Sequence, residues 1–270
     1  MVYYGETGKR LNIDNPSTYN EKVQWLKLYD RNPFYGTISD KYAVRKYITE
    51  TIGEEYLIPL LGVWDNVDDI VFDDLPDSFV LKCTHGSGSN IICDNKNDLD
   101  YEEAKKKLKK WIKKNWYWFG REWPYKSIKP KIIAEKYMAD ESGVELKDYK
   151  LYCFNGEPKL IQVSFDRFVG HKLNFYDTDW NNLPILFIFP SDPNAPIKKP
   201  ARLDEMLEIS RKFSKGLPHI RVDFYSIENE LYLGELTLYP ASGYGDFTPD
   251  KWDAEIGSWI DLSSAYGQMK

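Results

Sequence analysis

The sequence predicts an α+β protein, because strand-rich segments are interrupted by single helices. Three observations carry this. Residues 78–93 read as two short strands around a glycine-rich loop. Residues 148–164 read as a hairpin turning at Asn155-Gly156, a pair suited to the positive φ that tight hairpin turns require. Residues 219–240 read as a second, longer hairpin of alternating apolar and polar residues.

The first helix opens at Ser17-Thr18, where Thr18 and Glu21 have capping-box spacing. A second runs from near Asp40 to Gly53, a residue suited to stopping a helix. A short apolar segment, Tyr56 to Trp64, follows between acidic turns. Residues 101–115 read as a strongly basic helix, and residues 131–138 as a strand. Residues 202–215 form a helix with Leu203, Met206, Leu207 and Phe213 at its apolar positions. After the late hairpin comes a glycine-rich tail through Gly257. No repeat or long linker is visible.

Composition narrows the function classes. The chain has 270 residues, 42% hydrophobic and 29% charged, which is ordinary for a soluble globular protein. Its net charge of −6 argues against a dedicated nucleic-acid binder. Three cysteines without a CxxC pair read as buried small apolar residues in a reducing compartment. Three scattered histidines are too few for a zinc cluster. The N-terminus lacks a signal-peptide core, and the longest apolar runs are too short to span a bilayer. A cytoplasmic protein is expected, at the inner face of the membrane if its basic helix binds lipid.

In the late hairpin, Ile220, Val222 and Phe224 should face one way and Arg221, Asp223 and Tyr225 the other. Leu236 and Leu238 then turn Glu235 and Thr237 onto the polar face. A three-residue tip, Glu228-Asn229-Glu230, would set Asp223 directly across from Glu235. Two like charges so placed repel. A divalent cation would remove the conflict, since carboxylate oxygens suit Mg²⁺; a solvated polar face is the plainer alternative. The stretch Lys82-Cys-Thr-His-Gly86-Ser87-Gly88-Ser89 is neither a Walker A loop nor a Rossmann turn. Its glycines and serines would let backbone and hydroxyl donors approach a phosphate, with Lys82 as a point charge beside them; an ordinary hairpin loop is the alternative.

The order of these parts is more specific than any one of them. A lysine strand leads into a Gly/Ser loop, a strand ends in Glu-Lys-Tyr-Met, and a late hairpin reads R-x-D-(x11)-E-x-T. With NPSTYNEKVQWLKLYDRNP, SDKYAVRKYI, SFVLKCTHGSGSNII, DYKLYCFNG and HIRVDFYSIENELYLGELTLYPASG, the chain resembles the TupA-like ATP-grasp family over about residues 12 to 260. Those proteins are associated with bacterial polysaccharide and teichuronopeptide synthesis and are often labelled glycosyltransferases.

The resemblance implies an ATP-grasp fold, two α+β lobes clasping ATP after a short helical N-terminal segment. On that pattern residues 1–75 hold the helical segment and the start of the core, 76–140 a small lobe with the Gly-rich loop, and 141–270 a large lobe with the metal hairpin. It implies ATP and Mg²⁺ as cofactors. Arg45 and Lys82 would contact phosphates, and Gly86, Ser87, Gly88 and Ser89 would cover the β- and γ-phosphates. Glu135, Lys136, Tyr137 and Met138 would form the adenine-side hinge, and Asp148 would hold the ribose. Asp223, Glu235 and Thr237 would bind metal, and Arg221 would stabilise phosphate. Many ATP-grasp enzymes have asparagine where this chain has Thr237, whose hydroxyl is a weaker neutral ligand and would coordinate directly, through water or not at all. Only about 40 residues precede the DKYAVR helix, too few for the N-terminal domain many ATP-grasp ligases carry.

The implied reaction is phosphoryl transfer to a carboxylate followed by attack of an amine. The implied acceptor is a uronic-acid-containing glycan or sugar nucleotide, and the nucleophile an amino acid or amine. A glycosyltransferase using a sugar nucleotide, an ATP-grasp phosphotransferase acting on a hydroxyl, and a non-catalytic scaffold are the alternatives. Two further features read two ways. The lysine-rich stretch 105–114 can lie on anionic membrane or acidic glycan, or be a solvated helix face. Asp166-Arg167 and His171-Lys172 can meet an acceptor carboxylate or be plain surface.

Overall fold

In the computed structural model, which describes residues 2–140, 145–227 and 230–265, Thr18 caps a helix as its spacing requires. Its hydroxyl accepts from the Glu21 N–H, and the Glu21 carboxylate accepts from the Thr18 N–H. A short helix α1 (Val2–Thr7) precedes this one, α2 (Tyr19–Tyr29). Two compact units follow from the contacts: residues 33–138, and residues 1–32 together with 139–270. Residues 1–75, read from sequence as one segment, are therefore shared between both units.

The unit of residues 33–138 begins with α3 (Tyr35–Ser39) and α4 (Ala43–Ile52). Gly53 ends α4 at φ +110, a conformation that side-chain-bearing residues rarely adopt. Strands β1 (Leu60–Trp64), β2 (Phe79–Cys83), β3 (Asn90–Cys93) and β4 (Ile132–Lys136) form an antiparallel sheet in the order β1-β4-β2-β3. Between β3 and β4 lie α5 (Tyr101–Trp111) and the short α6 (Tyr117–Gly120). Phe79, Leu81 and Cys83 alternate into the core, where they meet Phe72, Leu108 and Ile132. Ala104 and Leu108 of α5 are buried, and Trp111 and Ile112 pack against the same core. The apolar stripe of the lysine-rich helix is thus consumed by packing.

The other unit holds a six-stranded antiparallel sheet, in the order β11-β10-β5-β6-β7-β8. Its strands are β5 (Asp148–Phe154), β6 (Glu157–Phe165), β7 (Lys172–Tyr176) and β8 (Asn182–Leu183), then β10 (His219–Ile227) and β11 (Glu230–Thr237) after an intervening β9 (Leu186–Phe187). Asn155 (φ +51) and Gly156 (φ +93) make the tight turn between β5 and β6. Leu151, Cys153, Ile220 and Val222 share one face, on which α7 (Leu203–Ser214) packs; the Cys153 thiol approaches the Ser210 carbonyl of that helix at 3.9 Å.

Residues 167–170 are exposed, as the surface reading has them, and lead into β7 beside β6. Two sequence expectations change here. The tail after the late hairpin is not merely glycine-rich loop: it contains β12 (Phe247–Thr248), paired with β9, and the helix α8 (Lys251–Ser258). The hairpin tip holds two residues rather than three, because Ile227 pairs with Glu230; Glu228 and Asn229 themselves lie outside the described residues.

Candidate functional site

Each unit gathers its own set of charged residues. In the unit of residues 33–138, β2 pairs with β4 so that Val80 faces Glu135, which makes Lys82 a diagonal neighbour of Glu135 on the same sheet face. The Lys82 ammonium donates to Glu135 Oε2 at 2.7 Å. Arg45, on α4, donates to Glu135 Oε1 at 2.9 Å and to the Ile58 carbonyl at 2.8 Å. Burial lowers the pKa of Arg45, and the Glu135 carboxylate partly offsets this. The sequence reading set the backbone of Glu135 on the adenine side; its carboxylate joins the two cations expected at the phosphates. Glu135 and Lys136 lie within the β4 ladder, and the Lys136 N–H donates to the Pro59 carbonyl. Tyr137 and Met138, also expected at the hinge, lie just beyond the strand.

The Gly-rich loop is fastened at its base and open at its tip. Thr84, His85 and Ser89 are buried, whereas Ser87 and Gly88 are exposed. Lys41 donates its ammonium to the Gly86 carbonyl at 2.9 Å and its N–H to the Thr84 carbonyl. His85 Nε2 lies 2.8 Å from the Lys114 carbonyl. Gly86 is required: a Cβ there would sit 2.0 Å from the Trp116 ring. Gly88 takes φ +71.

In the other unit the decisive feature is register. Asp223 of β10 lies directly opposite Glu235 of β11, and on its other side opposite Lys150 of β5. The two-residue tip alone would pair Asp223 with Gly234. A bulge between Asp223 and Phe224, opposite Gly234, shifts the register by one and restores the Asp223–Glu235 pairing. Asp148, Lys150 and Tyr152 of β5 share this face with Arg221 and Asp223.

Asp223 is 2% exposed and engaged with two cations. Arg221 clasps it in a bidentate fork, Nε to Oδ1 and Nη2 to Oδ2, both at 2.7 Å. Lys150 donates to Oδ2 at 2.7 Å. Burial pushes the Asp223 pKa up, but Arg221 and Lys150 more than reverse this and hold it below the usual carboxylate value. Burial acts against the charge of Arg221, yet Asp223 raises its pKa above the ordinary value. Arg221 also donates to the Thr237 hydroxyl at 3.2 Å. The like-charge conflict read from sequence is therefore relieved by the protein's own cations. Asp148 is buried, ion-paired with Arg167 and 3.6 Å from the Lys150 ammonium.

The donor chemistry of this face fits Mg²⁺. Asp223 accepts three hydrogen bonds of the roughly four its oxygens can take, which leaves a lone pair on Oδ1. Asp223, Glu235 and the Thr237 hydroxyl are all hard oxygen donors. Among the described residues no three His, Cys, Asp or Glu side chains gather into a cage. Two carboxylates with water and phosphate oxygens are the usual Mg²⁺ environment, so a full cage is not needed.

Sequence reasoning missed Lys150, Lys41 and the role of Glu135. Lys150 stands two residues after Asp148 on one strand face, a signal that alternation alone supplies. Lys41 and Glu135 act through pairings far along the chain, which no local pattern encodes.

The chain matches the family model described as TupA-like ATPgrasp over residues 21–261. The chain belongs to the TupA-like ATP-grasp family. It is therefore a member of an ATP-grasp ligase enzyme family and has the α+β ATP-grasp fold. No curated protein matches it. Among solved structures it is similar to D-alanine–D-alanine ligase from Helicobacter pylori, at 16% identity, covering 92% of this chain and 70% of that one, with a TM-score of 0.47. It is similar to D-alanine–D-alanine ligase from Bacillus anthracis complexed with ATP, at 16% identity, covering 82% and 62%, with a TM-score of 0.45. It is also similar to biotin carboxylase from Campylobacter jejuni in a β,γ-ATP complex, at 13% identity, covering 94% and 53%, with a TM-score of 0.49. The chain thus spans between about half and 70% of the length of these structures. Among the described residues no helix is long and apolar enough to cross a membrane.

Proposed function

We propose that this TupA-like ATP-grasp protein is an ATP-dependent carboxylate–amine ligase acting through an acyl-phosphate. Its acceptor would be a uronic-acid carboxylate of a bacterial surface polysaccharide or its precursor, and its nucleophile an amino acid or other amine. Family membership supports the ligase class, and the family's association with polysaccharide synthesis supports the substrates. The observation that carries the reading is the register that sets Asp223 opposite Glu235 on a sheet face shared with Arg221, Lys150 and Thr237.

In this reading Asp223 and Glu235 hold Mg²⁺, and Thr237 adds a neutral oxygen directly or through water. When bound, the metal neutralises phosphate charge and polarises the transferring group. Arg221, fixed by its fork to Asp223, presents a permanent positive charge to phosphate oxygens. Lys150, held on the same carboxylate, can exchange that contact for a phosphate oxygen without leaving its strand. Lys82 and Arg45, both held on the Glu135 carboxylate, are the cations that would meet the phosphates. Ser87 and Gly88 offer backbone donors to the β- and γ-phosphates, with Gly86 and Ser89 anchoring the loop. Tyr137 and Met138 read the adenine, following Glu135 and Lys136 out of the ladder, and Asp148 meets the ribose. No protein nucleophile is required, since positioning and charge neutralisation perform the catalysis.

Thermal unfolding with Mg²⁺–ADP and Mg²⁺–ATP, beside UDP-sugars, tests this. Ligand at 100 times its dissociation constant stabilises by about 2.7 kcal/mol. The expected result is a shift with adenine nucleotide that requires Mg²⁺ and disappears in Asp223→Asn/Glu235→Gln. A shift with a UDP-sugar and none with adenine nucleotide would overturn the ligase reading in favour of a glycosyltransferase.

A further inference from the structure

Residues 101–126 carry nine basic side chains against three acidic ones, in a chain whose net charge is −6. Positive charge is therefore concentrated on one segment of an acidic protein, within the unit of residues 33–138. The apolar stripe of α5 faces the core and is unavailable to any partner. The turn after it behaves differently. Trp118 is 63% exposed and Phe119 59% exposed, two adjacent large aromatic side chains turned to solvent.

Cations border these rings. The Arg121 guanidinium lies 4.7 Å from the centre of Trp118, and the Lys114 ammonium 5.7 Å from that of Phe119. Lys113, at the end of the helix, is exposed. The segment is anchored beneath: Trp116 packs over Gly86, and the Lys114 carbonyl meets His85. Exposed aromatic side chains ringed by Lys and Arg are the composition of an interfacial membrane contact, where rings sit at headgroup depth and cations meet lipid phosphates. An acidic glycan would satisfy the cations equally and can stack a sugar ring on one aromatic face, whereas a bilayer takes both rings at headgroup depth together. We infer that Trp118 and Phe119, with the cations of residues 113–126, form a docking surface for an anionic phospholipid bilayer. The contact is made by the aromatic turn rather than by insertion of α5.

The test is co-sedimentation of the full chain with phosphatidylcholine vesicles, with and without phosphatidylglycerol. Two variants are compared: Lys113→Gln/Lys114→Gln/Arg121→Gln/Lys126→Gln, and Trp118→Ala/Phe119→Ala. Both are checked for an unchanged melting temperature. The expected result is binding to the anionic vesicles only, weakened by salt, and lowered about tenfold or more by the charge variant. The aromatic variant should lower it several-fold at constant salt. Three outcomes would overturn the inference: no sedimentation, full retention by the aromatic variant, or binding to soluble polygalacturonate with none to vesicles. The last would assign the surface to an acidic glycan.

Discussion

Asp223 keeps its charge with 2% of its surface exposed because two cations are built around it, and that makes it a structural as well as a chemical residue. Removing one member of a buried, hydrogen-bonded ion pair leaves the others uncompensated and costs about 3–5 kcal/mol. Asp223→Asn is therefore expected to lower the unfolding free energy by about 3 kcal/mol, since Arg221 and Lys150 lose their counter-charge. Urea denaturation of the two proteins measures this, and a difference under about 1 kcal/mol would mean that the cations relax into water. At this scale the sequence was informative about chemistry and silent about partners. Arg221, Asp223 and Thr237 were legible because alternation assigns them one face. The engagement of Asp223 by Lys150 needs β5 beside β10, and that of Lys82 by Glu135 needs β2 beside β4. Strand order is set by the whole core and leaves no local mark.

At the scale of elements, the hairpin of β10 and β11 shows how a correct pairing can follow from an incomplete reading. The sequence Leu231-Tyr-Leu233-Gly-Glu-Leu236-Thr-Leu238 changes parity at Gly234, and a parity change within an apolar face signals a bulge. Reading that change gives the two-residue tip and the Asp223–Glu235 register together. The helix α8 escaped notice for a different reason. Its Gly257 reads as a loop residue, but it is where α8 touches the start of α2. A Cβ there would lie 2.4 Å from the Tyr19 nitrogen and 2.5 Å from the Thr18 carbonyl carbon, both backbone atoms that cannot swing aside. Gly257→Ala is expected to destabilise by about 1–3 kcal/mol through overpacking, despite a better helix propensity. Gly36→Ala, in α3 with open space around the new methyl, should be neutral or slightly stabilising. Thermal melts of the pair decide it, and equal melting temperatures would show that α8 can shift away from α2.

For the whole molecule, linear order was a poor guide to organisation. The chain begins in one unit, builds the other over residues 33–138 and returns, so no composition boundary marks the division. Global stability is also tuned from one buried point. His219 is 2% exposed, and its Nδ1 faces the Cys153 carbonyl at 2.9 Å. A carbonyl only accepts, so Nδ1 carries the proton and Nε2 accepts from the Tyr19 hydroxyl at 3.1 Å. Every polar atom of the neutral ring is satisfied. Burial pushes the His219 pKa down to about 4, from an ordinary value of 6.5. Between those values the unfolded chain binds a proton that the folded chain does not, so stability rises with pH across that window. The contribution is fully present above pH 6.5 and is lost as pH falls toward 4. Its size is roughly 3 kcal/mol. His85 and His171 titrate in the same direction, and Asp253, whose pKa burial raises, in the opposite one. A comparison isolates His219 from them. His219→Gln should be less stable than the parent at pH 7.5, but should lose less stability between pH 6.5 and pH 4.5. Urea unfolding across that range supplies both slopes; identical slopes would mean that His219 takes up its proton in the folded state without cost.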